Sequence, residues 1–222
     1  MTVIGECVIE VAARGIQSVP GGDAAKMAMA AANIGGADVY LATAMGDDAL
    51  SDGAVTALDS AGVRTTFIQR LPGELPVLAV DVTADISERL VWRAGTAIRR
   101  MFPVHTGYLR QLGASDFIAL SAASIAVLPE GGRKTLLQLA RSVRAGGKRV
   151  GLLLGPCPTL WSESESVREV DRFLGACSTL FAHRRDLETL FGALTGDAAI
   201  DALHARGVRE VVLWDRAGTA LA

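Results

Sequence analysis

Pro20-Gly21-Gly22-Asp23-Ala24-Ala25 joins a strand-like run to a helix-like one, and its reading decides the fold. Before it, Val3-Ile4-Gly5-Glu6-Cys7-Val8-Ile9-Glu10 reads as one buried first strand. After it, Asp23 to Ile34 reads as a helix, dense in alanine and poor in β-branched residues, and Gly35-Gly36 stops it. Two glycines let backbone approach a ligand closely, and the helix N-terminus behind them presents free N–H groups. Asp23 placed there can accept two hydroxyls of a polyol. The plainer role for Gly21-Gly22-Asp23 is a turn and an N-cap.

Outward from this point strands and helices alternate. Asp38 to Thr43 reads as the second strand, and Asp48 to Ser60 as the second helix, closed by Gly62. Later strands are expected at Phe117–Ser121, Arg149–Leu154, Thr179–Phe181 and Glu210–Trp214. Helices are expected at Gly132–Ala145, Ser164–Ala176, Arg185–Phe191 and Asp197–Arg206. Strands spaced by helices imply right-handed crossovers and a mainly parallel sheet covered on both faces, an α/β fold. Thr65 to Arg93 breaks the rhythm with a period of two: Thr66–Gln69, Val77–Val82 and Arg89–Arg93. These read as antiparallel strands, the last two joined by a polar turn around Ala84 to Ser87.

The 222 residues, half of them hydrophobic, are enough to bury a full core as a single domain. A formal net charge of −2, with acids and bases intermixed, gives no basic stripe for nucleic acid. No apolar run is long enough to span a bilayer, because Arg, Asp or Glu interrupts each one. Three cysteines (Cys7, Cys157, Cys177) without metal spacing fit a reduced compartment, and no signal segment precedes the first strand, so the cytoplasm is expected.

The motifs together resemble the ribokinase/PfkB family of carbohydrate kinases. Gly5-Glu6 followed by Pro20–Ala25 is similar to its sugar-site signature, Gly46-Asp47-Asp48-Ala49 to its next motif, and Ala61-Gly62-Val63 to the step into its lid. Glu88 to Ala97 resembles the lid strand of 2-keto-3-deoxygluconate kinases, and Thr159-Leu160-Trp161 the close of their Asp-x-Asn-x-Arg-x-x-Leu-Trp motif. The resemblance implies a ribokinase-like three-layer sandwich with a small β-sheet lid inserted at about residues 64–95. It also implies an ancestry of transferring ATP's γ-phosphoryl group to a sugar hydroxyl. Substrate-binding candidates carried over are Glu10, Gly21, Gly22, Asp23, Lys26 and Arg93.

Lys26 stands where the family usually has asparagine. A buried ammonium there would read a carboxylate or phosphate; otherwise Lys26 snorkels from the first helical turn. Arg93 matches a lid arginine that would face an acidic substrate through paired hydrogen bonds, or is a solvated strand charge. Asp47 and Asp48 read as turn and N-cap, and Trp161 as packing.

Other positions depart from the pattern. Leu153, Gly155 and Cys157 replace all three polar residues of the Asp-x-Asn-x-Arg motif, and His183 and Asp186 stand at the Asn-x-x-Glu motif. Asp186 beside His183 reads as a helix-start cap. The residues end at Ala222, ahead of the Gly-Ala-Gly-Asp segment that in the family supplies an anion hole and a catalytic aspartate. No catalytic or metal residue is therefore assigned, and ATP and Mg enter only if the chain is a kinase.

The resulting expectation is a degenerate sugar-kinase homologue, without phosphotransfer, that keeps a cleft for a small sugar or sugar acid or has an interaction role. The alternatives are an active kinase completed by further residues or a partner, and a different enzyme using Lys26, Cys157 and His183 in the inherited cleft. A homodimer or hetero-partner is expected to cover apolar surface at Val211-Val212-Leu213.

Overall fold

A computed structural model describes residues 1–12, 18–74, 77–83, 86–92, 95–102, 105–155, 157–192 and 197–214. The chain divides into two compact units, Met1–Val104 and His105–Ala222.

In the first unit the run from Val3 to Glu10 is two strands, not one: β1 (Thr2–Ile4) and β2 (Val8–Ala12), in different sheets. Residues 2–9 are all buried, Glu6 included, so burial runs unbroken across the change of sheet. β3 (Ser18–Gly21) precedes helix α1 (Asp23–Ile34), and β4 (Tyr40–Met45) precedes α2 (Ala49–Ser60). β3 escaped the sequence reading because Pro20 and Gly21 look like turn residues. It sits at the edge of its sheet, where a proline's missing N–H does no harm.

β5 is Ile68–Arg70 and pairs parallel with β4, Ala44 opposite Gln69, while β4 pairs parallel with β1. The antiparallel lid strand expected at Thr66–Gln69 is thus a strand of the parallel sheet instead. A period of two reports a half-buried strand but carries no information on its direction or partner. β6 (Val77–Thr83) and β7 (Ile86–Trp92) do pair antiparallel, and β2 joins them in a four-stranded sheet ordered β3-β2-β6-β7. Ala84 and Asp85, in the turn expected between them, lie outside the described residues. A 3₁₀ turn, Ala97–Arg100, follows.

In the second unit β8 (Phe117–Ser121), β9 (Arg149–Leu153), β10 (Thr179–His183) and β11 (Glu210–Trp214) pair in parallel, in that spatial order. The helices are α3 (Thr106–Gly113), α4 (Ala122–Val127), α5 (Glu130–Ala145), α6 (Glu163–Leu174), α7 (Arg184–Phe191) and α8 (Asp197–Ala205). α3 and α4 were not foreseen: α4 is only six residues long, and α3 buries only Leu112, which makes no stripe to read. α5 buries Leu136, Leu137, Ala140 and Val143, one stripe at helical spacing, and α6 buries Val170, Phe173 and Leu174.

The exposure expected at the last strand is not seen: Val211 and Leu213 are buried and Val212 is half-buried. These residues therefore give no argument for a covering partner. No described helix is long and apolar enough to cross a membrane.

Asp48 caps α2 as expected. Its carboxylate accepts from the Ser51 N–H at 2.9 Å and the Ser51 hydroxyl at 2.8 Å. Burial pushes its pKa up, but the bonds from Ser51, the Leu50 N–H and the charge of Arg70 outweigh this and hold it below the ordinary value. Asp48→Ala is expected to cost about 1 kcal/mol. A depressed pKa places this contribution above the unfolded-state pKa of about 3.9 and removes it as pH falls through the lower folded value. The gap in urea midpoint between wild type and Asp48→Ala should therefore be full at pH 7 and shrink in acid.

Candidate functional site

The sugar-site motif folds as a tight crossing of β2, β3 and the start of α1. Val8 pairs with Gly21 and Ile9 with Pro20, which lays the Glu10 side chain diagonally over Gly21. A Cβ on Gly21 would collide with that side chain where it lies, so Glu10 would have to swing aside. Gly22 is the N-cap of α1, at φ 80°, and contributes no side-chain cap of its own. Its N–H instead points to Glu10 Oε1 at 3.4 Å.

Lys26 Nζ lies 2.6 Å from the same oxygen, with the Lys26 side chain 58% exposed and that of Glu10 22% exposed. The buried-ammonium alternative is thereby overturned: Lys26 is at the surface, and the carboxylate it meets is Glu10. Asp23 is the first residue of α1 and half-buried. Glu10, Gly21, Gly22, Asp23 and Lys26 thus share one turn, whereas Arg93 lies outside the described residues. The Glu10–Lys26 pairing was missed because it depends on the β2–β3 register, which spacing along the chain does not give. Asp47 is exposed, 3.9 Å from Arg70.

In the second unit the substituted positions gather at the C-terminal ends of β9 and β10, where open α/β sheets place ligands. Leu153 ends β9 opposite Phe181. The half-buried Cys157 thiol donates to the Gly155 carbonyl at 3.5 Å. Trp161 is buried, in keeping with packing, and its indole N–H has no hydrogen-bond partner among the described residues.

His183 and Asp186 cap α7. The His183 N–H donates to Asp186 Oδ2 at 3.3 Å, and His183 Nδ1 accepts from the Arg185 N–H at 3.2 Å. The His183 ring also meets Trp214 edge-on, centroids 6.4 Å apart. Burial pushes the Asp186 carboxyl upward, only partly countered by the His183 N–H and ring. The Cys157 thiol bonds the Gly155 carbonyl and His183 Nδ1 the Arg185 N–H, both backbone groups.

Beside these groups a cleft of about 300 Å³ is lined by Cys157, Trp161, Ser162, Ser166 and Thr189, with the Glu163 carboxylate at its wall. A narrower one of about 40 Å³, lined by Gly155 and Asp186, shares Ser166 and Thr189 with it. Among the described residues, no cluster of three or more His, Cys, Asp or Glu side chains is placed to hold a metal ion.

A parallel α/β sheet with a small second sheet and a glycine turn opening its first helix defines a carbohydrate-kinase type of fold. Residues 3–215 match the model of the pfkB family carbohydrate kinases, and the chain belongs to that family. It is 32% identical, over 96% of its own length and 72% of the relative's, to a 2-dehydro-3-deoxygluconokinase of Dickeya dadantii. It is 29% identical to the protein of that name from Escherichia coli K12, over 100% of this chain and 75% of the relative.

Among solved structures, a PfkB protein from Polaromonas sp. JS666 superposes with a TM-score of 0.86 at 15% identity, over 96% of this chain and 74% of that one. A putative ribokinase II from E. coli, in complex with ATP and Mg, superposes with a TM-score of 0.82 at 16% identity, over 96% and 71%. These two likenesses concern the fold.

Proposed function

We propose that this chain is a sugar-binding member of the pfkB family that does not itself transfer phosphoryl groups. Its ligand is a small sugar or sugar acid held at the turn of Glu10, Gly21, Gly22, Asp23 and Lys26, and Arg93 belongs to the same proposed set of binding residues. An interaction role for the ligand-bound protein belongs to the same proposal, as does a cytoplasmic setting.

The observation that carries it is the cap of α7. His183 and Asp186 stand where the family places the residues that organise metal and phosphates, and both are taken up by helix-start hydrogen bonds. Asp186 Oδ2 already accepts from the His183 N–H, so the cap holds one of its two oxygens, and a hard cation there would compete with that bond. Leu153, Gly155 and Cys157 add no anionic or cationic group beside it. The described residues at these strand ends do not fit a magnesium nucleotide, and we derive no step through one.

Thermal unfolding separates the parts of this reading, since a ligand of the native state raises apparent stability. ATP with magnesium is expected to leave the midpoint unchanged, while sugars or sugar acids at millimolar concentration raise it. A clear rise with ATP–magnesium would count against the proposal.

The second reading, an ATP-dependent kinase acting on a 2-keto-3-deoxygluconate-like sugar, is favoured by the 32% identity to the Dickeya dadantii kinase. An in-frame Gly-Ala-Gly-Asp segment in the gene beyond codon 222 would give it the base and anion hole it needs.

A further inference from the structure

Resting on the sugar-binding reading above, we propose that Lys26 is a positioning residue that pins the Glu10 carboxylate on the Gly21–Gly22 turn, so that the site reads uncharged ligand hydroxyls through Glu10 rather than a ligand carboxylate through Lys26. Glu10 Oε1 takes both the Lys26 ammonium, at 2.6 Å, and the Gly22 N–H, at 3.4 Å. Among the described residues Glu10 has no other hydrogen-bond or ion-pair partner, so none of them takes Oε2, and the side chain still reaches solvent. A carboxylate oxygen only accepts, and a ligand hydroxyl is the donor that matches it.

An anionic ligand would fare worse at the same place. Approaching Lys26, it meets the Glu10 carboxylate already seated on the ammonium. Asp23 adds a second negative charge one helical turn before Lys26, on the same face of α1. The absence of a side chain at Gly21 is part of the device, because a Cβ there would push Glu10 off the turn. An ion pair this exposed adds little to stability, so Lys26→Ala is expected to fold normally and to reveal its effect in ligand binding.

The test compares D-glucitol and D-gluconate, a neutral and an anionic six-carbon polyol, by isothermal titration calorimetry at matched ionic strength. Wild type is expected to prefer D-glucitol. Lys26→Ala should weaken D-glucitol roughly tenfold, the scale of one charged hydrogen bond, and Lys26→Arg should restore most of it. Glu10→Gln should also weaken D-glucitol while tightening D-gluconate, since Lys26 then faces no anion.

In the ligand-free protein, Gly22 N–H exchange should quicken in Lys26→Ala and recover in Lys26→Arg; an unchanged rate would overturn the pinning. A preference for D-gluconate that Lys26→Ala abolishes and Glu10→Gln leaves alone would overturn this inference and spare the sugar-binding reading. Binding of neither probe would overturn both.

Discussion

Given ATP, magnesium and 2-keto-3-deoxygluconate, these 222 residues are expected to release ADP no faster than in a control without the sugar. Phosphoryl transfer has little covalent chemistry for a protein to do, so its rate depends on positioned charges and donors. Each oriented donor at developing charge is worth about 10²–10³ in rate. With Leu153, Gly155 and Cys157 in place of the motif's polar groups, and Asp186 held in a cap, the loss should reach roughly 10⁴ or more on the same scale. A coupled assay alongside the Dickeya dadantii kinase decides it. Sugar-dependent turnover within a hundredfold of that enzyme would sink the proposal, and so would labelled phosphate recovered on the sugar.

Gly46→Ala is expected to destabilise the first unit by about 3 kcal/mol or more, the upper range for overpacking against atoms that cannot yield. A Cβ at Gly46 would run into the Gly73 carbonyl and the Asp48 carboxylate. Gly73 cannot step aside, because its own α-carbon faces the Gly95 carbonyl and the Ala97 N–H, and its φ is 129°. Three backbone segments therefore cross closely here, tied by the Ala97 N–H donating to the Glu74 carbonyl at 3.1 Å, with the Arg100 guanidinium reaching the Gly95 carbonyl beside them.

Gly53→Ala provides the control. Gly53 is exposed inside α2, and nothing lies near its added Cβ. Alanine there should stabilise by about 0.5–1 kcal/mol, through helix propensity and a less disordered unfolded chain. Urea midpoints moving in opposite directions for the two variants would bear out the crossing. A Gly46→Ala protein as stable as wild type would refute it.

Much of the second unit was legible because its elements are set by local chemistry. Phe117–Ser121 and Glu210–Trp214 are strands over the residues expected, since continuous apolar runs bounded by polar turns are what buried parallel strands require. The caps at Asp48 and at His183–Asp186 were legible too, because such side chains bond backbone only a few residues away. The candidate site was legible as a set of residue types, Glu10 with Gly21, Gly22, Asp23 and Lys26, but not as an arrangement. The choice between a buried Lys26 awaiting an anion and an exposed one paired with Glu10 turns on burial and register, and neither is carried by neighbours in sequence.

What the amino-acid order determined by itself is the alternation of strands and helices, their caps, and the residues from which a sugar site or a phosphate site is made. Those follow from periodicity, propensity and bonds between near neighbours. What only the tertiary structure decided is which strand joins which sheet: β2 leaves the sheet of β1, and β5 enters it beside β4. It also decided that Glu10 takes Lys26 as its partner. The physical reason is common to both: strand pairing and salt bridging are contacts between segments distant along the chain, fixed by packing and register when the molecule closes on itself.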